Sequence, residues 1–246
     1  MTRLLITALL ASRTLEAASA TQGNALLGPL LPAQTANGPS WPMQIILLLT
    51  LLTLLPVAIM SVTPFLRITV VLHFLRQAMG TQTTPSNQVL IGLALFLNIL
   101  IMSPVASEIY RKAWLPMEAG QLTAAQAIEE GSKPLKTFLL RFTREKDVRL
   151  FLEITHSSPP KSPADLDLKI IVPAYVISEL KTGFQIGAVL FLPFLVIDLV
   201  IASVTLSIGM VQLPPVMISA PFKILLFVLV DGWNLVVGSL VRSFHP

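Results

Sequence analysis

Two overlapping motifs have the residue types for covalent chemistry. Ser178-Glu-Leu-Lys181 places a hydroxyl three residues before an amine, and Lys181-Thr-Gly183 follows at once. Both belong to the signature set of penicillin-binding acyl-transfer enzymes. That chemistry needs the motifs on separate elements that converge on a substrate. Here they share one short stretch, so we read the match as coincidence. His73, His156 and His245 lie in three different segments, each read as a solvated or interfacial residue. There is no HExxH, GxSxG or P-loop, and cysteine is absent. No enzyme, cofactor or metal site is expected. Three charges stand apart. Asp198, Lys223 and Asp231 are the sole charges between Thr182 and Val241. An ionisable group at bilayer depth costs roughly 2.5–3.5 kcal/mol or more, so each needs a partner or water. They are structural ion pairs, a proton relay, or the lining of a wet cavity. Lys223 has three candidate partners: Asp198, Asp231 and Glu179.

The elements that must carry these charges are apolar. The chain is 54% hydrophobic and 12% charged, against about 25% charged in soluble domains. The net charge of +4 does not point to nucleic acid. Between Glu108 and Lys181 eleven Lys/Arg are balanced by ten Asp/Glu, with no basic patch interleaved with aromatics.

Residues 1–20 read as a signal peptide: Arg3, then Leu4 to Ala11, then the small residues Ala18-Ser19-Ala20. Residues 21–42 read as a linker rich in Gly, Pro and Asn. Met43 to Val62 gives 20 uncharged residues, enough to cross a bilayer, with Pro56 as a kink. A second apolar run spans Val89–Ala106. Residues 43–108 are thus expected to form an N-terminal hydrophobic hairpin. Its connecting loop carries Arg67, His73 and Arg76, and this basic bias places it in the cytoplasm. Residues 109–181 then form a periplasmic helical insert. In it Thr123 and Gln126 make a capping box, Gly131 ends a short helix, and Pro134 opens the next. His156 to Ala164 reads as a loop. Residues 182–246 hold two more helices, roughly Gly183–Ile208 and Val216–Leu240. Pro214-Pro215 forces the break between them, because proline removes a helical hydrogen bond and clashes with the preceding turn. Gly183 with Gly187, and Ser203 with Ser207, are small-residue pairs that allow close helix approach.

The fold class is therefore all-α, with hairpins of the integral-membrane type. Three stretches add a resemblance: TPFLRITVVLHFLRQAMGTQTTPSNQVLIGLALFLN, PAYVISELKTGFQIGAVLFLPFLVIDLVIASV and PPVMISAPFKILLFVLVDGWNLVVGSLVRSF. In this order they resemble the FliP/SctR family of type III secretion export-gate proteins. The similarity covers about residues 43–108 and 165–244. The signal peptide and insert resemble the flagellar branch.

The resemblance implies a structural subunit and no enzyme. Several copies, about five in the family, assemble with FliQ and FliR into a conical pore. FliO assists, and FlhA and FlhB dock around the gate. Unfolded flagellar subunits pass through it across the bacterial inner membrane at the basal body. Much of the helical complex is lifted out of the bilayer plane. The family's pore gasket, a run of methionines at the hairpin tip, falls on Met210, Val211 and Gln212. Here only Met210 is a methionine; a ring of Met210 and Val211 can still close the pore, Gln212 makes part of it wetter, and a tight seal is expected to draw on partner subunits as well. The resemblance also makes Glu179 the first choice of partner for Lys223 and Asp198 the second. The competing reading is a small secondary transporter or proton channel using Asp198, Lys223 and Asp231. Such proteins usually show paired halves, and the first half of this chain has no matching Pro-Pro break or charges. A virulence-injectisome homologue is a further alternative.

Overall fold

A computed structural model describes residues 41–81, 83–157, 162, 165–209 and 214–244. The expected signal peptide, most of the linker, and Met210, Val211 and Gln212 at the hairpin tip lie outside the described residues. The chain divides into two compact units, Met1–Pro56 and Val57–Pro246. The first contributes most of α1 (Trp41–Ser61), an uncharged helix of 21 residues with Pro56 inside it. Its length matches the apolar run read from the sequence.

The second unit is helical throughout its described elements. It comprises α2 (Phe65–Ala78), α3 (Asn87–Ile109), α4 (Leu115–Glu118), α5 (Ala124–Phe142), α6 (Glu145–Ile154), α7 (Leu168–Ser207), α8 (Pro215–Leu229) and α9 (Gly232–Arg242). A π-helical turn, Tyr110–Trp114, joins α3 to α4. The core begins with α2. Its Ile68, Val71, Leu72, Leu75 and Ala78 recur at helical spacing and are fully buried. They join Leu90, Ala94, Leu97 and Ile101 of α3 and Ile170, Ile171 and Tyr175 of α7 in one buried cluster, with Phe138 and Leu139 of α5. The stretch read as a basic cytoplasmic loop is therefore mostly a helix in the core. Its two arginines outweighed, in that reading, an apolar face that the spacing already contained.

Three further expectations change. Gly131 does not end a helix: α5 runs from Ala124 through Gly131 and Pro134 to Phe142. Glycine serves packing there, since an added Cβ would meet Ala113 Cβ at 3.3 Å and Ile109 Cγ2 at 3.4 Å. The Thr123–Gln126 capping box is present at its start. The expected last helix breaks in two. Asp231 adopts the left-handed region (φ 52°, ψ 50°), and α8 and α9 meet at a bend of 65°. Asp tolerates that region better than most residues. Gly232 is required next, because a Cβ would lie 2.2 Å from the Phe227 ring. Finally, the helical stretch expected from about Val172 and the helix expected from Gly183 are one element, α7, unbroken over 40 residues.

Helix α7 is about 60 Å long at 1.5 Å per residue, twice a bilayer core. It packs against α2 through its glycines. A Cβ at Gly187 would lie 2.6 Å from the Phe74 ring, and one at Gly183 would lie 3.1 Å from Val70 Cγ1. The outward faces stay apolar: Phe96 and Ile99 of α3, Val189 and Leu199 of α7, and Val228 and Leu229 of α8 are exposed. Among the described residues, α1, the α3–α4 run and α7 are long and apolar enough to cross a membrane, and the bent α8–α9 pair makes a fourth candidate.

The glycine contacts give a direct test. Gly187→Ala should lower the stability of the purified chain by about 1–3 kcal/mol, through overpacking against Phe74. Gly92→Ala on α3, where nothing lies within 4 Å, should raise it by about 0.5–1 kcal/mol. Melting in detergent compares the two.

Candidate functional site

Three polar clusters fasten other elements to α7. The first is the most buried. Arg67 of α2 and Glu179 of α7 are 4% and 0% exposed. The guanidinium grips the carboxylate at both oxygens: Nε donates to Oε2 at 2.8 Å, and Nη2 donates to Oε1. Nη1 donates to Ser243 Oγ at 3.1 Å, just beyond α9. The Phe244 ring covers the guanidinium, its centroid 4.0 Å from Cζ, with Phe142 at 5.5 Å. One buried charge thus gathers α2, α5, α7 and the residues after α9. A planar, delocalised guanidinium suits this place, since it pairs bidentately and stacks on aromatic rings at once.

The second cluster absorbs the motif that looked catalytic. Ser178 Oγ donates to Asp147 Oδ2 at 2.8 Å, and Lys181 Nζ donates to Asp147 Oδ1. Ser178 Oγ also accepts the Arg144 N–H at 3.0 Å. Arg144 Nη2 donates to Thr182 Oγ1 at 3.2 Å and to Gln185 Oε1 at 2.6 Å. These contacts pin the start of α6 to α7. Ser178 is fully buried and spends its proton on a carboxylate that the lysine already neutralises. Nothing there activates it as a nucleophile. Burial pushes the Asp147 carboxyl up, but the hydrogen bonds from Lys181 and Ser178, with the charge of Arg144, outweigh it and hold it below the ordinary range.

The third cluster locks the hairpin. Lys223 Nζ donates to Asp198 Oδ2 at 2.6 Å, and Ser219 Oγ donates to Asp198 Oδ1 at 2.5 Å. Phe194 and Phe227 meet one turn further from the tip, with centroids 6.4 Å apart. Residues four earlier on α7 thus face residues four later on α8, the register of an antiparallel hairpin. The described approach to its tip matches the sequence reading. Gly209 takes φ 80° after α7, Pro214 caps α8 and Pro215 opens it.

Glu179, the first choice of partner for Lys223, is therefore corrected to Asp198 within the chain. Glu179 is held by Arg67 instead. Asp231 is in no ion pair among the described residues. Its Oδ2 accepts from Asn234 Nδ2 at 3.1 Å, and its place is the α8–α9 bend. Ser203 and Ser207 are exposed, and their hydroxyls donate back to Leu199 O and Ser203 O, each at 2.8 Å. Arg67 is what the sequence reading missed. Among the described residues no three His, Asp or Glu side chains gather as a metal would require.

Among the described residues, a helical architecture with several helices long and apolar enough to cross a membrane, tied by ion pairs to one long helix, fits the integral-membrane class. The model of the FliP family matches residues 48–240. The chain is 50% identical over 211 residues to the flagellar biosynthetic protein FliP of Pectobacterium carotovorum subsp. carotovorum, covering 85% of this chain and 82% of that one. It is 50% identical over 201 residues to its counterpart in Bacillus subtilis, covering 82% and 91%. For Caulobacter vibrioides the figure is 47% over 202 residues, covering 82% and 76%. The chain belongs to the FliP family.

Three outcomes follow from these clusters. Glu179→Gln strands a buried guanidinium and should cost about 3–5 kcal/mol in a detergent melt. The double replacement Arg67→Met with Glu179→Leu should cost less, since it removes both charges. Lys223→Glu should leave the chain protease-sensitive; adding Asp198→Lys should restore part of the resistance, and adding Glu179→Lys should restore none. Asp147 governs an acid limb. Its depressed folded pKa gives a contribution that is complete above about pH 4, the unfolded value. That contribution fades as pH falls through the folded value. Asp147→Asn should lower the melting temperature near neutrality and flatten the acid side of the stability profile.

Proposed function

We propose that this chain is a pore-forming structural subunit of the flagellar type III export gate in the bacterial inner membrane, through which unfolded flagellar subunits cross. Family membership carries the reading, and the relatives bear a flagellar name. The local geometry supports it. The Asp198–Lys223 pair locks the two arms of the α7–α8 hairpin together, which supports a fixed structural role for the hairpin. The exposed apolar faces of α3, α7 and α8 supply surface for lipid and for neighbouring subunits. In this reading about five copies assemble with FliQ and FliR, with FliO, FlhA and FlhB as further partners. The insert α5–α6 faces the periplasm, and Met210, Val211 and Gln212 converge on the axis as the gasket.

The chain acts as scaffold and channel, with no catalytic step of its own. The transporter reading is weakened by its charges. Asp198 and Lys223 neutralise each other, and Asp231 is taken up by a bend. Among the described residues all three charges are thus engaged in structural contacts.

The deciding measurement is the native mass of the chain co-expressed with FliQ and FliR in mild detergent. A large discrete species with several copies of this chain is expected. Within it, Met210→Ala should increase ion leak while leaving the mass unchanged. A monomer or dimer that ignores both partners would overturn the reading.

A further inference from the structure

The charges of the two apolar stretches do not all cancel. Between residues 43 and 107 the full charges are Arg67 and Arg76, and between Thr182 and Val241 they are Asp198, Lys223 and Asp231. Glu179 answers Arg67, and Asp198 answers Lys223. One cation and one anion are left over. Arg76 is half-buried and has no carboxylate within ion-pair distance among the described residues; its Nη1 makes a long hydrogen bond to Pro85 O at 3.5 Å. Asp231 accepts a hydrogen bond from Asn234, which supplies no charge. The surface around Asp231 is apolar, with Val228, Leu229 and Leu235 all exposed. Such a surface marks a face that lipid or protein covers. Once it is covered, a bare carboxylate or a bare guanidinium is costly. A lipid tail answers neither charge.

The two leftover charges stand at one height along α7. Val70 and Phe74 of α2 lie over Gly183 and Gly187, so the two helices run parallel and Arg76 is level with about residue 189. Lys223 and Phe227 of α8 meet Asp198 and Phe194, so these helices run antiparallel and Asp231 is level with about residue 190. Among the described residues no ion pair joins the two within the chain. Rotation about an axis along α7 preserves height. A head-to-tail ring built that way brings two different patches of equal height together at every junction. A second copy thus supplies both missing partners at once. We propose that Asp231 of each copy pairs with Arg76 of the next in such a ring. The pairing rests on the several-copy assembly proposed for the gate, and gives it a specific contact between neighbours.

The test is the yield of the several-copy species from the co-expressed complex in mild detergent, with the melting of the isolated chain measured beside it. Asp231→Asn tolerates the left-handed turn and can still accept from Asn234. It and Arg76→Gln should each leave the melting of the isolated chain unchanged and cut the yield by about tenfold. The double variant should recover part of that loss, because neither charge is then left bare. The chain has no cysteine, so engineered cysteines read cleanly. Two differently tagged chains, one with Arg76→Cys and the other with Asp231→Cys, should be joined in intact membranes by a short bis-maleimide reagent. Arg149→Cys in place of Asp231→Cys should give no such product. A several-copy species that tolerates both single variants would overturn the pairing and leave the gate reading standing, as would losses that merely add in the double variant. A cross-link formed only inside one chain, when both cysteines are placed there, would also overturn it. A wild-type chain that forms no several-copy species would overturn the pairing and the gate reading together.

Discussion

The placement of one guanidinium organises this molecule. Taking an arginine and a glutamate out of water costs several kcal/mol for each ion, and only good geometry returns it. Arg67 and Glu179 have that geometry: two nitrogens on two oxygens, a serine on the remaining nitrogen and an aromatic ring over the plane. The pair does not make the fold stable by itself. It makes alternatives costly, because any register that slides α2 along α7 strands both charges. The glycines enforce the same register sterically. Val70 and Phe74 lie over Gly183 and Gly187, one and two turns from Glu179.

Helix α7 serves as a common beam. Its polar contacts fall into two zones, one from Ser178 to Gln185 and one at Asp198. Glu179 and Asp198 lie about 28 Å apart along the axis, close to the thickness of a bilayer core. Between them the described polar pairing is sparse and the outward surface is Val, Leu and Phe. The charges are thus confined to places where a second helix answers them, which is how an apolar scaffold can carry ions.

Much of this was legible in the sequence, in proportion to how local its cause was. Chain-local signals held: the Thr123–Gln126 box, the Pro214-Pro215 break and the long apolar runs. Signals that depend on distant residues did not. Arg67 read as a cytoplasmic marker because its partner lies 112 residues away. Its helix nevertheless announced itself through Ile68, Val71, Leu72, Leu75 and Ala78, a periodicity obscured by attention to charge. Gly131 read as a stop because a glycine's reason is often the neighbour it admits, here Ala113 and Ile109. Glu179 ranked above Asp198 as the partner of Lys223, although the hairpin read from Pro214-Pro215 already set Asp198 and Lys223 at matching distances from its tip. Asp231-Gly232 did carry a local signal, the turn-prone Asp-Gly pair, inside a segment too apolar to invite a break.

The covering of Arg67 by Ser243 and Phe244 also has a consequence in time. A chain is made from its N-terminus, so Arg67 emerges 112 residues before Glu179 and 176 residues before Ser243. During that interval the guanidinium has no native partner and must stay hydrated or be met by a lipid phosphate. Helix α2 therefore cannot settle into its final apolar surroundings as it is synthesised. The covering of the guanidinium is complete only once Ser243 and Phe244, the residues after the last helix, have been made.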